Sequence, residues 1–215
     1  QKCNTPIAII CRKRQIKRIY CCNAEAEKYG IGNKMSLSTA LALCPDLQIK
    51  NRELGKEGYH LERLALIAYQ FTPTVVFYNQ LGLAIEISRC KRLYGSYDNL
   101  LQQLYFQMSK YSSKLINGIG HTPLSAHLNC QSNYQTHIPD IGGLTAQSHT
   151  IKLDEFKLSQ RNHKHLKQLG LHTVADILRL PRSTISNNFD NELISQLDLL
   201  TGVKPDLYTL FTLPN

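Results

Sequence analysis

Hydrophobic and polar positions change period several times along the chain, and each change predicts a different element. Residues 6–11 (Pro-Ile-Ala-Ile-Ile-Cys) and 16–22 (Ile-Lys-Arg-Ile-Tyr-Cys-Cys) are rich in β-branched side chains, which predicts two strands joined by a basic turn. A short helix is expected over residues 24–29, stopping at Gly30. Ser36 is placed to N-cap a second helix over residues 37–43, which Pro45 closes. The unit so defined ends near Arg52.

From Gly55 the period lengthens. Leu61, Leu64, Ala65, Ala68 and Phe71 recur at helical spacing and predict a long amphipathic helix. Two strands are expected next, over residues 74–78 and 83–87, linked through Asn79-Gln80-Leu81-Gly82. A second long helix over residues 97–111 would bury Leu100, Leu101, Leu104 and Met108. A strand over residues 115–119 and a helix after Pro123 follow. This order is α-β-β-α-β, and one further strand in front would complete a β-α-β-β-α-β ferredoxin-like layer. The expectation is therefore that a first strand lies upstream of residue 1 and that Gln1 is a boundary rather than a natural start. Residues 135–150, polar and carrying Pro139 and Gly142-Gly143, read as a connector. Beyond them, short helices are expected over residues 160–169, 174–180 and 191–200, with turns at Leu169-Gly170-Leu171 and Leu180-Pro181-Arg182.

With 215 residues and 42% hydrophobic content the chain can bury a core as one large domain or as two to three small ones. No apolar run reaches the length of a membrane span and the N-terminus lacks a signal-peptide profile, so a cytoplasmic protein without a membrane partner is expected. The seven cysteines (Cys3, Cys11, Cys21, Cys22, Cys44, Cys90, Cys130) are odd in number and show no zinc-like spacing, and they read as reduced, packed thiols. His121, His127, His137 and His149 are too scattered for a ligand set, and no nucleophile triad is readable.

The charge changes the picture more. A formal net charge of +9 and a pI near 9.2 favour a polyanionic partner. It gathers in two places: Arg12, Lys13, Arg14, Lys17 and Arg18, and then Arg161, His163, Lys164, His165 and Lys167. Each cluster taken alone is balanced between a solvated face and a phosphate contact.

Four words, in order, carry a resemblance. Asn23-Ala-Glu-Ala-Glu-Lys-Tyr-Gly-Ile31 looks like a fingers helix, and Met35-Ser-Leu37 through Cys44-Pro-Asp-Leu47 looks like the segment after it. Leu93-Tyr-Gly95 after Ile87-Ser88 is similar to a palm signature, and the stretch from Leu166 to Pro181 is similar to a thumb. Together they resemble Y-family (lesion-bypass) DNA polymerases, most closely the ImuB-type branch. The resemblance implies an α+β right hand: fingers over residues 1–52, a ferredoxin-like palm lacking its first strand over 53–148 and a helix-hairpin-helix-like thumb over 149–215. The family's little-finger domain would be absent.

The resemblance also implies a site whose chemistry is missing. Nucleotidyl transfer uses two divalent ions held by carboxylates. Where active members present an Asp-Glu pair, this chain reads Asn79 and Gln80, and Glu86 is the one acid nearby, at a position expected to be structural. The fingers positions that grip a triphosphate read Ala24 and Glu27, which offer no hydrogen bond and a repulsive charge. The thumb hairpin reads Ser159-Gln160-Arg161-Asn162 in place of a glycine-bearing anion nest, which leaves Arg161, Lys164 and Lys167 to meet phosphates. With Arg12, Lys13, Arg14, Lys17 and Arg18 these make the candidate DNA-binding set. No catalytic, nucleotide or metal residue and no cofactor is then expected. The implied role is a DNA-binding adaptor in damage-induced mutagenesis, joining an error-prone replicative-type polymerase, a RecA-like accessory protein and a sliding clamp on primer-template DNA. An active lesion-bypass polymerase using Mg2+ through atypical ligands, and a simple DNA-binding module, remain the alternatives.

Overall fold

The computed structural model describes residues 5–13, 16–78, 82–112, 115–131, 141–206 and 208–213. The chain forms two units, Gln1–Tyr59 and His60–Asn215.

In the first unit, β1 (Ile7–Lys13) and β2 (Ile16–Cys22) pair antiparallel, with Ile10 opposite Ile19 and Arg12 opposite Lys17. Both strands stand where the β-branched runs predict them. Helix α1 (Ala24–Glu27) starts at Asn23, whose side-chain oxygen accepts the Ala26 N–H at 3.1 Å. It is shorter than expected because the chain turns at once into Gly30, which takes φ +77, a region that favours glycine. Ser36 caps α2 (Leu37–Leu43) by accepting the Thr39 N–H at 3.1 Å. One element has no sequence signature: β3 (Gln48–Asn51) is exposed throughout, so it shows no alternation, and it is held by parallel pairing to the free edge of β1. Ala8, Ile10, Ile19, Ala26, Ala40 and Cys44 form the core, whose small alanines let the helices approach the sheet closely.

The second unit takes in most of α3 (Leu54–Tyr69), which buries Ala65 and Ala68. Strands β4 (Val75–Tyr78) and β5 (Gly82–Ile85) form an antiparallel hairpin, with Val75 opposite Ile85 and Tyr78 opposite Gly82. A 3-10 turn (Ser88–Cys90), α4 (Lys91–Tyr94) and α5 (Tyr97–Ser109) follow. Helix α5 buries Leu100 and Leu104 fully and leaves Leu101 and Met108 half-buried.

The strand expected over residues 115–119 does not form. Those residues are irregular and lie against α6 (Pro123–Gln131): Gly118 and Gly120 sit so close to the helix that a Cβ at either would collide with its backbone. Asn129 Nδ2 donates to Ile119 O, so a side chain takes the carbonyl that a ladder would otherwise use. The connector expected over residues 135–150 is also corrected, because helix α7 (Ile141–His149) occupies much of it. Burial of Leu144 and Ser148 overrides the poor propensity of Gly142-Gly143, and Ser148 Oγ donates to Leu144 O at 3.0 Å.

The remaining helices are α8 (Gln160–Gln168), α9 (Val174–Leu178), α10 (Arg182–Asn188) and α11 (Asn191–Thr201). Helix α10 stands where Leu180-Pro181-Arg182 reads only as a turn; Pro181 is in fact its N-cap residue. Leu166, Val174, Ile177, Ile185, Leu193 and Leu197 meet in one core. Among the described residues, no helix is long and apolar enough to cross a membrane.

Candidate functional site

Between Glu62 and Asp98 the chain holds a single carboxylate, Glu86. Its backbone continues the hairpin: Glu86 N–H donates to Thr74 O at 3.0 Å, and Glu86 O accepts the buried Thr72 hydroxyl at 2.7 Å. Its side chain folds back on the following turn, where Oε1 accepts the Ser88 N–H at 2.8 Å and also the Ser88 hydroxyl. The carboxylate thus closes the head of the Ser88–Cys90 turn. Asn79 and Gln80 lie outside the described residues. Two magnesium ions need several convergent carboxylates, and the described residues contain no group of three or more His, Cys, Asp and Glu side chains that could hold a metal.

At the end of β4, Tyr78 is buried, with its ring centroid 4.9 Å from that of His127 and 5.2 Å from that of Tyr208, both pairs tilted. The Tyr208 hydroxyl donates to Asp206 Oδ2 at 2.7 Å. Burial, with the neighbouring Asp206 and Tyr78, holds the Tyr208 phenol far above its ordinary value. Burial lowers His127 and His121, so both favour the neutral imidazole, a packing role that agrees with their scatter in the sequence.

On the first unit, Ala24 and Glu27 are both exposed on α1. Burial first and then the charge of Glu27 raise the Cys22 thiol, so the Glu27 carboxylate repels negative charge at this surface. The basic hairpin divides. Arg12 and Lys17 are exposed and directly opposite, hence on one face of the β1/β2 pair. Arg18 pairs with Cys11 instead, and its guanidinium donates to Lys34 O at 2.9 Å. The side chain of Lys13, and Arg14 entirely, lie outside the described residues. Lys34 is the addition that sequence reading lacks: its φ of +68 is unusual for a residue with a Cβ, and it brings a further exposed cation beside Arg18.

On α8, Arg161, Lys164 and Lys167 are all exposed and follow one another at three-residue steps, so they share the outer face opposite buried Asn162 and Leu166. The hairpin before α8 is not open. Ser159 N–H donates to Glu192 Oε2 at 3.1 Å and Ser159 Oγ to Asp190 Oδ2 at 3.2 Å. The turn before α9 is closed as well, since Asp176 Oδ2 accepts the His172 and Thr173 N–H groups at 3.1 and 2.9 Å. Those backbone bonds, with the Thr173 hydroxyl, hold the Asp176 carboxyl below its usual range.

The architecture is that of the Y-family DNA polymerases, matching their palm, fingers and thumb. DinB from Sulfolobus solfataricus superposes with a TM-score of 0.73 at 12% identity, over 95% of this chain and 62% of that one. A post-insertion binary complex of Dbh DNA polymerase gives a TM-score of 0.76 at 13% identity, over 95% of this chain and 62% of that one. The family model IMS (impB/mucB/samB family) matches residues 3–131, more than half of the chain, and the chain belongs to that family. Protein ImuB of Caulobacter vibrioides, from two strains, is 26% identical over 170 residues, which is 79% of this chain and 37% of the relative. The chain therefore spans little more than a third of the curated relatives that it matches.

Proposed function

We propose that this chain is the core of a catalytically inactive Y-family homologue that acts as a DNA-binding adaptor in damage-induced mutagenesis and translesion synthesis. The observation that carries this reading is that the β4/β5 region holds a single carboxylate, Glu86, one of whose oxygens, Oε1, accepts the Ser88 N–H and hydroxyl. A two-ion site needs several anionic ligands free to bind. Exposed Ala24 and Glu27 add a second deficit, because neither can hold a triphosphate. The corresponding division is fingers over residues 1–52, palm over 53–148 and thumb over 149–215.

The DNA partner is primer-template duplex met without regard to sequence. Arg12, Lys13, Arg14, Lys17 and Arg18 supply one set of phosphate contacts, and Arg161, Lys164 and Lys167 the other. The likeness to ImuB supports recruitment of an error-prone replicative-type polymerase, a RecA-like accessory protein and a sliding clamp to the same primer end. The test is primer extension by the full-length protein with magnesium or manganese. The expected result is DNA binding without incorporation. Template-dependent incorporation that disappears in Glu86→Ala would overturn the reading in favour of an active polymerase.

A further inference from the structure

We propose that Asp190 and Glu192 form a built-in anion at the junction of α8 and α11. They act as a brake on nucleic-acid binding and leave the outer face of α8 as the route to phosphate. The proposal rests on the DNA contact argued above and adds the residues that limit it.

A helix N-terminus gathers unsatisfied N–H groups and partial positive charge, and two such ends close together suit an anion. Here α8 begins at Gln160 and α11 at Asn191, and the residues ahead of them are tied to one another. Ser159 donates its N–H to Glu192 at 3.1 Å and its hydroxyl to Asp190 at 3.2 Å, and it accepts the Asn162 N–H at 3.2 Å. Asp190 occupies the N-cap position of α11 yet makes no side-chain bond to its own helix; its carboxylate reaches out to Ser159 instead.

A second observation is independent of the helix ends. Asn162 is 1% exposed, its Oδ1 accepts the Asp190 N–H at 3.3 Å, and its Nδ2 is buried without a partner. Leaving a buried donor unmade costs free energy, so this network has a donor to spare while its acceptors are two carboxylates of the same chain. Two donors of the junction are thus filled from within, by Glu192 and Asp190, and the buried Asn162 amide leaves a third unmade.

Arg161 and Lys164, exposed on the first turns of α8, make no ion pair with either acid among the described residues. A DNA phosphate approaching them meets two negative charges at the base of the same helix. Glu192 occupies the Ser159 N–H and Asp190 the Ser159 hydroxyl, two donors that a phosphate would use, and both carboxylates repel it.

The test compares binding of a fluorescent primer-template duplex by the native chain and by Asp190→Asn/Glu192→Gln, in which amide oxygens can still accept from Ser159. Asp46→Asn/Glu53→Gln is the charge-matched control on the first unit. Removing two charges at this range is expected to tighten binding roughly threefold to tenfold beyond the control. A folded double variant that binds no tighter than the control overturns the proposal. Should the pair fail to fold, Glu192→Gln alone is read in the same way, with a smaller gain expected. Loss of binding in Arg161→Ala/Lys164→Ala/Lys167→Ala, without a gain in the neutralised pair, overturns the brake while leaving DNA contact through α8 intact.

Discussion

The carboxylate of Glu86 accepts the backbone N–H of Ser88 at 2.8 Å, and this bond closes the turn that leads from β5 into α4. An acid that satisfies an orphan N–H at the head of a turn works as a cap. Glu86→Ala should therefore lower stability by about 1 kcal/mol, the usual cost of losing a cap, and lower Tm by about 2–4 °C for a chain of this size. Calorimetric titration with magnesium should give the same trace for both proteins. A magnesium heat that vanishes in the variant would reassign Glu86 to a metal.

Arg12 and Lys17 stand opposite each other and Arg18 does not join them, so the basic hairpin should not behave as one cluster. In the DNA-binding reading, Arg12→Ala/Lys17→Ala should flatten the slope of log K against log salt by about 1.8, close to 0.9 per lost contact. Arg18→Ala should flatten the slope by less than one contact's worth, because its guanidinium already donates to Lys34 O and is only partly committed to phosphate. An unchanged salt slope in the double variant would assign the pair to solubility or to a protein partner.

Elements with a local signature are readable in the sequence: Ser36 marks its helix, and the β-branched runs mark β1 and β2. What escapes reading is fixed by distant partners. The exposed Gln48–Asn51 strand exists because β1 offers an edge, and the apolar run over residues 115–119 stays irregular because Gly118 and Gly120 press it onto α6. The same holds at the candidate site. The absence of acids in the hairpin and the cation triplet of α8 are visible as letters, whereas the closure of the Ser159 hairpin by Asp190 and Glu192 joins residues about thirty positions apart and leaves no local pattern.

Arg52 and Glu57 supply a pH-dependent contribution. Two guanidinium nitrogens reach the carboxylate at 2.7–3.1 Å, and the same guanidinium lies 4.0 Å over the Tyr20 ring. The hydrogen bonds from Arg52 hold the Glu57 carboxyl below its ordinary value. A group depressed on folding contributes stability that is fully present above its unfolded pKa, about 4.3 for Glu, and is lost as pH falls through the folded one. Glu57→Gln should thus be less stable than the native chain at neutral pH, by about 0.5–1 kcal/mol for a partly exposed pair. The two should converge on acidification below pH of about 4. Urea melts across that window measure the difference, and a gap that stays constant with pH would show that the pair contributes through packing on Tyr20 alone.

Phe211 ties the last described stretch of the chain into the second unit. Its N–H donates to Val75 O at 2.7 Å, and Leu210 bridges Val76, so this stretch adds a rung to the outer edge of β4. The ring is 8% exposed and meets Tyr69 and Phe77 edge-on at 5.9 and 5.8 Å. Phe211→Ala should remove this burial and leave a cavity beside Ala65, Ala68 and Val75, at a cost of about 3 kcal/mol. Phe211→Leu, which keeps most of the volume, should cost about 1.5 kcal/mol or less. The prediction is specific to packing, because the backbone bond to Val75 needs no particular side chain. Amide exchange at Phe211 should quicken in the alanine variant together with exchange in β4. If exchange at Phe211 quickens while β4 is unaffected, the stretch is a surface attachment rather than part of the core.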